Sequence, residues 1–228
     1  MQYYCKKVIN YYNQKMSLVK NINIENLSNF CKDSSYLSIV ERKKPENAQT
    51  FFEELLKKPF NLHKTIERKN FLEDIKVLLA ENLSRKIQSN SFYDIWLKDM
   101  EKIINLFCIT IKQNYLKFSL VTSRGCKRYH IDNVPIRLLV TYHGKGTEWV
   151  PSNACNYSAY YNGKQNEKII LNKNKKKFIE PWHIAIFKGQ KSIKGEKGIL
   201  HRTPDEAINS KSLLMRLDIT EYANSIID

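Results

Sequence analysis

Through the first half of the chain, apolar residues recur at intervals of three and four. Phe51, Leu55 and Leu56 form one stripe, Ile75, Leu78, Leu79 and Leu83 a second, and Trp96, Met100, Ile103, Ile104 and Phe107 a third. A period near 3.6 puts each stripe on one face of a helix, so residues 1–115 are predicted to be mainly helical. Asp99 falls at the edge of the third stripe, where a carboxylate still reaches water. From about residue 116 the texture changes to the short runs LKFSLVT, IRLLVTY, KIIL, HIAIF, GIL and SLLMRLDI, separated by turn residues. These read as strands. With no helix-length gap between them, they predict antiparallel pairing into a sandwich, barrel or jelly roll, with the amino-terminal helices packed on one sheet. The class is α+β, with a helical region 1–115 and a β region 116–228. No repeat or linker separates the two, so one compact unit is expected.

Composition narrows the function classes. At 228 residues and 42% hydrophobic, the chain can bury a core, and 7 Gly and 6 Pro exclude collagenous or Pro/Gly-rich disordered character. No apolar run approaches the roughly 18 residues of a spanning helix, so no membrane is expected as a partner. The amino terminus, MQYYCKKVINYYNQKM, interrupts with lysines and polar residues the apolar stretch a signal peptide needs, which predicts a cytoplasmic protein. Five cysteines, Cys5, Cys31, Cys108, Cys126 and Cys155, form no C-x-x-C pair and fit reduced thiols better than a disulfide framework. The net charge of +15 raises nucleic acid as a partner, but 30 of the basic residues are Lys and only 8 are the forked Arg that phosphate and base recognition favour. The densest run, Lys173 to Lys177, sits between two strand-like segments and reads as a solvated hairpin tip. A small-molecule or amino-acid-derived substrate is preferred over nucleic acid. Oligomeric state is not legible.

Candidate chemistry concentrates in Cys126-Lys-Arg-Tyr-His-Ile-Asp132. His130 and Asp132 are two apart, so in an extended segment their side chains leave one face with Cα atoms about 6.6 Å apart. One cation fits between an imidazole and a carboxylate so placed, and the mixed N/O pair suits iron, manganese or zinc. Taken alone, the pair is equally a surface ion pair or a turn cap before Pro135. The second element is His201, at the end of the apolar run Gly198-Ile-Leu. H-x-D followed by a distant His is the ligand order of the 2-His-1-carboxylate facial triad, which leaves three coordination positions open. A basic residue follows, Lys211 or Arg216, either of which suits a dicarboxylate by charge-assisted contact.

The ordered motifs Cys126-x-Arg128-x-His130-x-Asp132, Arg137-Leu-Leu-Val-Thr-Tyr142, Gly144-Lys-Gly-Thr-Glu-Trp149, Lys188-Gly189, His201-Arg-Thr-Pro204 and a final strand ending in Leu217-Asp218 resemble a bacterial domain family of unknown function. They are also similar to the Fe(II)/2-oxoglutarate-dependent oxygenases of prolyl-hydroxylase type. The motifs span about 40% of the chain and leave the helical region outside the resemblance. They imply a double-stranded β-helix, of jelly-roll or cupin-like form, with amino-terminal supporting helices. They imply Fe(II) held by His130, Asp132 and His201, with 2-oxoglutarate as cosubstrate, decarboxylated to succinate and CO2 while a bound substrate is oxidised. Thr141 or Tyr142 would hydrogen-bond the cosubstrate, and since neighbours on a strand face opposite ways, only one of them can. The family pattern carries an Arg just before the last strand, where this chain has Lys211-Ser212, so both Lys211 and Arg216 stand as the anchor. A cupin-like metal protein without 2-oxoglutarate chemistry, or a basic nucleic-acid-binding module, are the alternatives.

Other residues keep two readings. Arg128 and Cys126 share strand parity with His130 and are either metal-proximal or, for Cys126, a small buried hydrophobe. Arg137 either binds substrate or pairs with Glu148. Trp149 either stacks on a ligand or serves the core, and His143 is a candidate substrate contact or proton shuttle. His183 reads as structural, His63 has no evident partner, and Arg202 faces away from His201 into a salt bridge.

Overall fold

The computed structural model describes residues 19–193, 197–208 and 210–220. The amino-terminal segment read above for a signal peptide, and Cys5 within it, lie outside them. Ten strands are described: β1 Val19–Asn21, β2 Leu37–Val40, β3 Asn61–Glu67, β4 Tyr115–Val121, β5 Ile136–His143, β6 Glu148–Val150, β7 Lys177–Phe178, β8 Ile184–Lys188, β9 Leu200–Arg202 and β10 Leu213–Ile219. The three longest α-helices among the described residues are α1 Ala48–Leu55, α2 Phe71–Asn82 and α3 Ser91–Ile111. They coincide with the three stripes. Asn90 caps α3 by accepting from the Phe92 amide at 2.9 Å, and Lys112 closes it in the left-handed conformation.

A seven-stranded sheet runs β1-β2-β8-β5-β10-β4-β3, and a three-stranded sheet runs β7-β6-β9. Every pairing is antiparallel except β1 with β2. The large sheet is mixed in origin, because β1, β2 and β3 come from the region where the periodicity suggested only helices. Alternation sorts its residues into two cores. Leu138, Val140 and Tyr142 of β5 and Met215 and Leu217 of β10 join α1, α2 and α3 on one face. Leu139 of β5 and Ala185 and Phe187 of β8 join Trp149, Val150 and Leu200 of the small sheet on the other. Central strands covered on both faces explain the unbroken apolar runs in β5 and β8.

Two local readings are corrected. KIIL is not a strand: Asn166–Ile169 is a short helix, and Ile170 makes only an isolated bridge to Cys155. A run of three apolar residues cannot by itself separate the two periods. Asp99 does not face water but accepts hydrogen bonds from Arg42 and from the Tyr142 hydroxyl, the latter at 2.9 Å. No helix among the described residues is long and apolar enough to cross a membrane.

Candidate metal centre

His130 and His201 meet because their backbones form an isolated antiparallel bridge, with reciprocal N–H to carbonyl bonds of 3.0 Å. Their rings lie 4.6 Å apart between centroids, and Phe187 lies 4.6 Å from His201 on the large sheet. Asp132 follows two residues after His130, and its loop is held against the start of the Gln190–Ile193 helix by the Gln190 amide, which donates to the Asp132 carbonyl at 2.8 Å. Gly189 makes this approach feasible, since a Cβ there would stand 2.0 Å from the Val134 oxygen and 2.6 Å from that of Asp132. One ligand atom from each of His130, Asp132 and His201 lies within 4.8 Å of the others. The side chains of Asp132 and His201 are 2% and 5% exposed, whereas His130 is 28% exposed, so the cluster opens to solvent on the His130 side.

The donor set fits a cation. His130 Nδ1 lies 2.9 Å from the Arg128 carbonyl and His201 Nδ1 3.2 Å from that of Ile199. Each Nδ1 is therefore assigned the proton, and each Nε2 presents a lone pair. Those lone pairs face Asp132, at 3.5 Å from Oδ1 and 3.2 Å from Oδ2. Oδ2 is buried without a hydrogen-bond donor. Three electron-pair donors converging on one point repel unless a positive charge sits among them. Ligands at right angles around a metal, with bonds of about 2.1 Å, stand about 3.0 Å apart, against 3.5 and 3.2 Å from the two imidazoles to the Asp132 oxygens and no more than 4.8 Å across the whole set. Without a metal, a proton on an imidazole gives partial relief. Burial disfavours that proton on His130, but Asp132 and the Arg128 carbonyl outweigh it and raise its pKa. Burial likewise works to raise the pKa of Asp132, yet the imidazoles and Arg137 hold it well below the usual carboxylate range.

Arg137 supports the cluster from the large sheet. Its Nη1 donates to Asp132 Oδ1, while Nε and Nη2 bind Asp218 bidentately at 2.6 and 2.8 Å. The pair with Glu148 suggested by the sequence is not formed. Glu148 instead accepts from Arg202 and Tyr129 and pairs with Lys176, and Arg202 also binds Asp205. Arg137 could not be assigned its partner from sequence because Asp218 is its register partner on β10, 81 positions away.

The other candidates are dispersed. Thr141 lies on the same face of β5 as Arg137 and Leu139, whereas Tyr142 points into the helix-side core, stacked near Phe52 and bonded to Asp99. Trp149 is buried on the inner face, directly opposite His201 in register. Arg216 donates to Ser119 at 3.2 Å and pairs with Asp218 at 3.4 Å, while Lys211 is exposed on the segment leading into β10. Arg128 donates to the Tyr160 and Lys164 carbonyls, outside the cluster, and Cys126 is exposed rather than buried. His143 ends β5 beside Phe52, on the helix side. His63, on β3 and not in a helix, bonds the Ser119 hydroxyl at 2.9 Å.

A family model described as Protein of unknown function (DUF1826) matches residues 22–218. The chain belongs to this family. The DUF1826 match contains all three residues of the cluster. No curated protein matches the sequence. Among solved structures, one from Shewanella oneidensis with a provisional oxygenase assignment is similar at 9% identity, covering 88% of each chain with a TM-score of 0.36. A likeness that slight carries no argument for this DUF1826 chain.

Proposed function

We propose that this protein is an Fe(II)- and 2-oxoglutarate-dependent oxygenase built on a double-stranded β-helix. The observation that carries the reading is the approach of His130, Asp132 and His201, whose ligand atoms lie within 4.8 Å of one another, with one buried Asp132 oxygen left without a hydrogen-bond donor. Strand order supports the fold. From β4 onward the chain passes between the sheets in the order large (β4), small (the His130 bridge), large (β5), small twice (β6, β7), large (β8), small (β9), large (β10). That alternation is how a double-stranded β-helix winds.

Bound iron with 2-oxoglutarate supplies the oxidising power, converting 2-oxoglutarate and O2 to succinate and CO2 as the substrate is oxidised. The chain supplies geometry. Asp132 and the two imidazoles would hold the metal, the Nδ1 protons of His130 and His201 being held by backbone carbonyls so that each Nε2 is left as the ligand atom. Arg137 fixes the Asp132 carboxylate through Oδ1. Phe187 and Trp149 wall the inner side against water, and the more open His130 side admits a substrate.

The test is turnover. Anaerobically purified protein given Fe(II), 2-oxoglutarate and O2 is expected to release succinate slowly without added substrate, and His201→Ala and Asp132→Ala are expected to abolish that release. Succinate no greater in the wild type than in these variants overturns the reading.

A further inference from the structure

The charged groups between the sheets fall into two sets. Asp132, Asp218, Arg137 and Arg216 neutralise one another. Arg124, three residues beyond β4, stands apart and is only 8% exposed. Its Nη1 donates to the Lys145 carbonyl at 2.7 Å and its Nη2 to Thr147 Oγ1 at 3.0 Å, while Nε is buried with no acceptor. No carboxylate among the described residues lies within ion-pair distance of it. Burial pulls its pKa down to about 10, against a small opposing effect of Cys126. A guanidinium removed from water with neither counter-charge nor complete hydrogen bonding is costly, and its planar fork matches a carboxylate.

Its position gives the missing charge a purpose. Thr147 continues the β6 ladder, since the Ile179 amide bonds its carbonyl at 2.9 Å, so Thr147 and Trp149 share the inner face. Trp149 lies directly opposite His201. Two residues along a strand cover about 7 Å and the step to the next strand about 5 Å, which places Thr147 roughly 8–9 Å from His201 on the same face. A five-carbon dicarboxylate chelating a metal at one end spans that gap.

We propose that Arg124 is the anion anchor of the site and takes the distal carboxylate of the ligand that reaches the metal. Lys211 is exposed, and Arg216, although its Nε also lacks an acceptor, has a counter-charge in Asp218 at 3.4 Å, whereas Arg124 has none. The identity of the ligand as 2-oxoglutarate rests on the oxygenase reading; the anion site rests on Arg124 itself.

The experiment compares 2-oxoglutarate with 2-oxopentanoate, which lacks the distal carboxylate, by calorimetric titration into Mn(II)-loaded protein under argon. Wild type is expected to favour 2-oxoglutarate by at least ~10-fold, the range of a charge-assisted bidentate contact. Arg124→Met is expected to bind Mn(II) as wild type does and to lose the preference. If Arg124→Met does not fold, Arg124→Lys, which keeps the charge without the fork, is expected to reduce the preference severalfold. A preference that persists in the folded variant overturns the anchor and leaves the oxygenase reading standing, as does equal binding of both acids by wild type. Binding of neither acid by the Mn(II)-loaded wild type removes both.

Discussion

Arg137→Met isolates the support beneath the cluster. The guanidinium binds Asp218 through two bonds of 2.6 and 2.8 Å and also binds Asp132, and the side chains of Arg137, Asp218 and Asp132 are 16%, 8% and 2% exposed. Methionine preserves much of the volume but leaves two buried carboxylates without their main partner. Removing one member of a buried pair costs about 3–5 kcal/mol. Arg216, 3.4 Å from Asp218, retains part of the compensation, which puts the expectation at the lower end, about 3 kcal/mol. At about 2–4 °C per kcal/mol for a chain of this size, the metal-free variant is expected to melt about 6–12 °C below wild type. Loss of the bond that orients Asp132 is also expected to weaken Mn(II) binding about 10–100-fold. Scanning calorimetry at pH 7 and Mn(II) titration measure the two effects. A variant melting within about 2 °C of wild type with unchanged Mn(II) affinity refutes the argument that Arg137 holds both acids.

Three further outcomes follow from other contacts. Burial opposes ionisation of Glu148, but Arg202, Tyr129 and Lys176 outweigh it and hold its pKa below the usual value. A depressed folded-state pKa adds stability that is present above the unfolded pKa, near about 4.3, and is lost as pH falls through the folded value. Glu148→Gln is thus expected to cost about 2 kcal/mol at pH 7 and progressively less below about pH 4.5, and a melting difference that stays constant down to about pH 3 contradicts this. Gly189→Ala forces a Cβ against the Val134 and Asp132 carbonyls and is expected to destabilise by about 2–4 kcal/mol, read by urea unfolding. Tyr142→Phe removes the 2.9 Å bond to Asp99 on the helix side, so it is expected to cost about 1–2 kcal/mol while leaving metal affinity within about twofold of wild type.

Helices α1, α2 and α3 and strands β4, β5, β8 and β10 were legible because each carries several turns or a long uninterrupted run of one period. β3, Asn-Leu-His-Lys-Thr-Ile-Glu, escaped notice because only Leu62 and Ile66 are buried, a spacing of four that a helix also shows. β1 and β2 are too short to establish a period. The cluster was visible as H-x-D because two-residue spacing is local chemistry, and His201 because it ends an apolar strand. The partners of Arg137 and Glu148 were not, since Asp218 and Arg202 reach them only through strand register, as does Trp149 opposite His201. Nothing in the sequence marked Arg124: a loop arginine declares itself only when its burial and lack of a carboxylate are seen.

Metal content of the anaerobically purified protein, with Mn(II) titration of the chelator-treated form, bears most directly on the central claim. We expect one divalent ion per chain in wild type and at least ~100-fold weaker binding in His130→Ala, Asp132→Ala and His201→Ala alike, each folded as judged by its melting profile. Binding of equal affinity in wild type and in the three variants would show that these side chains do not hold a metal.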